Sequence, residues 1–166
     1  MDDFTIYSHL NFDSKSEEAL FHKILFDADG GFSAMLLDMF FNDVKPAPKF
    51  EYTKHENVFA RMYPGLERQV TFGTGKGGLE KWHTKKFTCD FFDRENRIIY
   101  EIDGDSHKNE LQTLKDKIRD CFFFLEKNIR TVRITNREVE EMLLERIRKL
   151  NLVDEVLKKQ GSGLNV

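Results

Sequence analysis

The chain has 166 residues, 40% of them hydrophobic and 33% charged, with a net charge of −3. That length suits one domain with its own core, and the balance is ordinary for a globular protein. No apolar run approaches the roughly 20 residues that span a bilayer, and MDDFTIYSHL lacks the basic-then-apolar pattern of a signal peptide. A cytoplasmic protein with no membrane partner is expected. The two cysteines, Cys89 and Cys121, lack zinc-site spacing and are expected as buried reduced thiols. Charge is uneven: residues 1–60 carry −6 and the remainder +3, so the bases concentrate in the second part.

Ser14-Lys-Ser-Glu17 has capping-box spacing and predicts a helix to about Asp27, with Leu20, Phe21, Ile24 and Leu25 inward. The box explains Glu17. Glu18 lies beside the buried stripe, where a glutamate ordinarily complements the helix dipole or faces water. Asp29-Gly-Gly31 breaks the helix, and Phe32–Phe41 is an apolar segment with helical character. Pro46 and Pro48 make Val44–Phe50 an extended connector, and 55–63 predicts a short helix. Residues 30–66 are read as an insertion. Glu67–Phe72 reads as a strand leading into Gly73-Thr-Gly-Lys76-Gly-Gly78, which no Gly-Lys-Ser/Thr follows, so it is no phosphate-binding P-loop. With Lys81, Trp82, Lys85 and Lys86, this flexible stretch suits phosphate contact and base stacking, or is a solvated loop.

Phe87, Cys89 and Phe91 alternate with Thr88, Asp90 and Phe92; Ile98, Tyr100 and Ile102 alternate with Ile99, Glu101 and Asp103. Period two and the short Arg94–Arg97 connection predict an antiparallel hairpin. In the register that pairs Asp90 with Glu101, the three acids share one face and Phe87, Cys89, Phe91, Ile98, Tyr100 and Ile102 the other. Opposed carboxylates repel, so the cluster calls for a cation, naturally Mg²⁺ with Mn²⁺ as substitute, unless the face is simply solvated. The spacing is not that of a calcium loop.

A helix is expected from about Asn109 to Lys127, with Leu111, Leu114, Ile118, Phe122 and Leu125 inward and Asp116, Asp120 and Phe123 as a second stripe. Arg130–Thr135 reads as a strand parallel to Ile98–Asp103. A helix over about Arg137–Leu150 follows, then a short helix over 151–160 and a frayed tail over 161–166.

This order, with Asp90, Glu101-Ile-Asp103-Gly104, His107, Asp116-Lys-Ile-Arg119-Asp120 and Thr131-Val-Arg133-Ile134, resembles the PD-(D/E)xK nuclease superfamily. Within it the chain resembles the branch of very-short-patch repair endonucleases and homing endonucleases with an E-D-x-H-D pattern. The resemblance implies an α/β (α+β) fold with a restriction-endonuclease-like core, a mixed four-stranded sheet flanked by helices, in a bacterial or phage-host protein. It implies a Mg²⁺-dependent DNA endonuclease in which Asp90, Glu101 and Asp103 hold metal and His107 serves at the scissile phosphate. Asp120 would orient His107 and Glu18 would position water. Asp103 stands where the wider superfamily has lysine, which removes any lysine-oriented water. The rival readings are a non-catalytic nucleic-acid-binding or inhibitor protein, and a nuclease acting on RNA or branched DNA.

Overall fold

Helix propensity and capping build the first elements of the chain. The computed structural model describes residues 9–26, 28, 53–104 and 108–164, the last five of these as backbone only. Helix α1 spans Lys15–Phe26 and buries Leu20, Phe21, Ile24 and Leu25, as the spacing predicts. Ser14 Oγ accepts from the Glu17 N–H at 3.1 Å, but Glu17 Oε1 accepts from the N–H of Asp13 rather than of Ser14. Helix α2 spans Lys54–Met62, its first turn capped by Thr53 Oγ1 accepting from the Glu56 N–H. Most of the proposed insertion, including Phe32–Phe41 and the proline connector, lies outside the described residues.

Two compact units make up the fold, one of residues 1–62 and 137–166, the other of 63–136. The first is helical. To α1 and α2 it adds α5 (Asn136–Lys149) and α6 (Leu152–Leu164). Helix α5 buries Val139, Leu143, Leu144 and Ile147, while Leu150, expected inward, is 39% exposed. Helix α6 runs to Leu164, through most of the tail expected to fray. Two buried acids tie this unit together. Glu17 is held by Arg148 of α5, with Nη2 to Oε1 at 2.8 Å. Glu140, also on α5, lies 2.9 Å from His55 Nε2 and 3.1 Å from His9 Nε2.

The second unit is a mixed four-stranded sheet in the order β1-β2-β3-β4. Strands β1 (Glu67–Gly73), β2 (Lys86–Asp93) and β3 (Ile98–Asp103) are antiparallel neighbours; β4 (Arg130–Thr135) runs parallel to β3. That last pairing needs a long crossover, supplied by α4 (Glu110–Lys127), which Asn109 caps by accepting from the Gln112 N–H at 2.8 Å.

Between β1 and β2, where no helix is evident in the sequence, a five-residue helix α3 (Gly78–Trp82) forms. The loop around it is closed: Thr74 Oγ1 donates to the Thr84 carbonyl at 2.8 Å, and the Thr74 N–H donates to the Lys85 carbonyl at 2.9 Å. Gly78 admits the Thr74 side chain where a Cβ would sit. Trp82 is 8% exposed and packs edge-on against Phe122 at 5.5 Å, so the expectation of a free stacking residue is corrected: its ring is core.

The α4 face also differs from expectation. Leu111, Leu114 and Leu125 are 59%, 54% and 69% exposed, while Phe122 and Phe123 pack with Trp82, Cys89, Phe92, Ile99 and Ile129. Asp116 and Asp120, expected roughly opposite the core stripe, pair instead with cations, Asp116 with Lys108 at 2.7 Å and Asp120 with Arg133 of the sheet at 2.7 Å. Cys121 is exposed on the same helix, against expectation, and Cys89 is fully buried. Burial pushes the Cys89 thiol up to about 12, so it stays protonated and inert.

Candidate active site

The β2–β3 ladder pairs Phe91 with Tyr100, Phe92 with Ile99 and Asp93 with Ile98, the register in which Asp90 comes opposite Glu101. Asp93 sets the turn by accepting from the Asn96 N–H and Nδ2 at 3.0 and 2.8 Å, while Arg97 takes a left-handed conformation with φ 56°. The expected two-face division does not hold along the whole hairpin. Phe87 and Cys89 share the α4-side cluster with Phe92 and Ile99, while Phe91 and Ile102, also buried, are not part of it. The alternation changes phase at Asp90. Across the ladder from it, Gln69 is left-handed at φ 50°, and this pair is missing from a register that otherwise runs from Glu67–Phe92 to Gly73–Lys86.

That break aims Asp90 at its neighbours. Its Oδ2 accepts from the Ile102 N–H at 3.0 Å, and Gln69 Nε2 lies 3.5 Å from its Oδ1. Glu101 is 5% exposed. Burial first, and the Asp90 carboxylate second, push its carboxyl up to about 8. Arg119 of α4 reaches this corner, one guanidinium nitrogen donating to both Glu101 Oε1 and the Thr88 carbonyl.

Asp103 lies on the same strand two residues along, but cations hold it: Lys108 Nζ at 3.1 Å and Arg133 Nη1 at 3.9 Å. Lys108 also pairs with Asp116 at 2.7 Å, and Arg133 Nη2 donates to Asp120 at 2.7 Å. Alternating charges thus link β3, α4 and β4. Arg133 is brought here by the parallel register, which places it beside Glu101.

Among the expected site residues, Asp90 and Glu101 come together, and Asp103 and Asp120 belong to the adjoining network. Glu18 lies half-buried on α1 of the first unit, where its neighbour Glu17 carries the ion pair. His107 lies outside the described residues. Among the described residues, no group of three or more His, Cys, Asp or Glu converges as a metal cluster. Gln69, Lys108, Asp116 and Arg119 are members that sequence reasoning left without a role; for Asp116 and Arg119 the spacing Asp116-x-x-Arg119-Asp120 on one helix was the available signal.

Of the residues expected to meet nucleic acid, Lys76, Lys85 and Lys86 are exposed. Lys81 is paired with Glu126 at 2.8 Å. No protein-family model matches this chain, and no curated protein or solved structure matches it at a significant level. No described helix is long and apolar enough to cross a membrane.

Proposed function

We propose that this protein is a metal-dependent nuclease hydrolysing phosphodiester bonds of DNA, on a core of the restriction-endonuclease type. The observation that carries the reading is the placement of the Asp90 and Glu101 carboxyls side by side at a break in the sheet, with Glu101 buried. Two carboxyl groups in that position need a proton or a cation between them. All donors are oxygen, and the neighbouring bases are guanidinium and ammonium groups, which suits Mg²⁺ or Mn²⁺ rather than a soft metal. Asp90 and Glu101 would hold the ion, which supplies Lewis acidity toward phosphate and a more acidic bound water.

The chain's own residues do the rest. Gln69 and the Ile102 N–H fix the Asp90 carboxylate. Arg119, anchored on the Thr88 carbonyl, has a planar donor set that matches a phosphate once Glu101 is otherwise compensated. Lys108 and Arg133 hold Asp103, Asp116 and Asp120 as charges beside the site.

One feature favours the rival binding protein: Arg119 already pairs with Glu101 without a metal. Incubation with supercoiled plasmid and Mg²⁺ or Mn²⁺ separates the two. Nicked or linear product from wild type, absent with Asp90→Asn, supports the nuclease. Binding without product, unchanged by Asp90→Asn, overturns it.

A further inference from the structure

Beside the acid pair lies a cleft of about 440 Å³, within the range of small-ligand pockets, lined by Phe87, Gln112, Lys115 and Arg119 and by Lys108 with its ion-pair partners Asp103 and Asp116. We infer that this cleft receives one unstacked nucleotide of single-stranded nucleic acid, with its phosphate on Lys115, its base against Phe87 and Gln112 at the base edge. The inference rests on the nuclease reading in so far as Arg119 joins the cleft to Glu101.

Three side chains of the cleft, Lys115, Phe87 and Gln112, point the same way. Lys108, on one side of it, is already engaged by Asp103 and Asp116. Lys115 is exposed and makes no ion pair among the described residues, so it is a cation left for an incoming anion. Phe87 is half-buried, packs against Phe122 with ring centroids 5.0 Å apart, and lines the cleft. An aromatic wall next to an ammonium unpaired among the described residues is the pairing that single-strand binding uses, a stacking surface beside a phosphate contact. Gln112 adds an amide with both donor and acceptor, the chemistry of a base edge and not of a bare phosphate. A base inside a duplex cannot reach such a wall without leaving its stack. Trp82, buried in the core, leaves this stacking role to Phe87.

The test uses the full chain in EDTA, so that cleavage does not intervene. A short fluorescein-labelled single-stranded oligodeoxynucleotide and the same sequence as duplex are titrated at fixed salt, with inorganic phosphate as competitor. Wild type should favour the single strand. Lys115→Gln with Gln112→Ala, both at exposed positions, should weaken single-strand binding about tenfold, the loss of one phosphate and one base contact, and duplex binding far less. Phe87→Leu, which keeps apolar packing against Phe122, should do the same to single strands. Equal losses on both probes overturn the pocket in favour of a general basic surface, as does no loss on either. Displacement by millimolar phosphate alone would reduce the cleft to an anion site and also overturn it. The nuclease reading is judged separately: a protein that binds single strands here yet never nicks plasmid with Mn²⁺ keeps the pocket and loses the nuclease.

Discussion

Asp90 accepts the Ile102 N–H on its Oδ2 at 3.0 Å, just beyond the last hairpin pair, Phe91 with Tyr100. A side chain thus satisfies a strand amide while facing the buried Glu101 carboxyl. The two relationships make opposite demands on a replacement. Asp90→Asn keeps an acceptor for Ile102 and removes the repulsion, so the metal-free protein should melt at the same temperature or higher. Asp90→Ala leaves the amide without its acceptor and should cost about 1–3 kcal/mol. Added Mg²⁺ should raise the melting temperature of wild type and of neither variant. Thermal melts with and without the ion check all three, and a destabilised Asp90→Asn would count against a site under electrostatic strain.

The basic loop gives a second contrast. Trp82→Ala empties a core position against Phe122 and should cost about 3–5 kcal/mol, with any change in DNA affinity following from unfolding. Replacing Lys76, Lys85 and Lys86 together by glutamine should leave stability nearly unchanged. If they contact phosphates, the replacement should lower the slope of log affinity against log salt by about 2–3. Binding isotherms over a salt series decide whether these exposed lysines meet the backbone.

Legibility varied with the kind of interaction that decides each feature. Strand limits, hairpin register and the crossover could be read because alternation and turn length act locally. The phase break at Asp90 could not, because it turns on Gln69 adopting a left-handed backbone that glycine or asparagine would have signalled and glutamine does not. The α4 face was misread for a related reason. Hydrophobic periodicity assumes an apolar partner, but the N-terminal half of α4 meets charged groups, so Arg119 turns to Glu101 while Asp116 and Asp120 turn to Lys108 and Arg133. The pairing of Glu17 with Arg148 joins residues 131 positions apart, beyond any local pattern.

That reassignment of α4 is open to a direct check. Leu111→Ser and Leu114→Ser act on exposed side chains and should each change stability by no more than about 0.5 kcal/mol. Phe123→Ala should cost about 3–5 kcal/mol, since its ring packs against Phe72, Phe87 and Phe122. Denaturant melts of the three variants suffice. A large loss at Leu114 would restore the face read from the sequence.

The first unit has a pH dependence of its own at Glu17. The hydrogen bond from Arg148 holds this carboxyl below its ordinary 4.5; burial opposes the shift, and the Asp13 N–H reinforces it. A carboxyl whose folded pKa is depressed binds protons more weakly folded than unfolded, so it contributes stability above pH 4.5 and loses it as pH falls through the folded value. Glu17→Gln keeps the shape and some hydrogen bonding but no charge. Because the Arg148 side chain is 39% exposed, solvent screens the pair, and the variant should lose only about 1 kcal/mol at pH 7. The gap between variant and wild type should narrow below pH 4.5 and close once Glu17 is protonated in both states. Denaturant melts of the two proteins at neutral and acid pH measure it. A gap that stays constant with pH would mean that Glu17 stabilises the unit by packing and neutral hydrogen bonds, not by its charge.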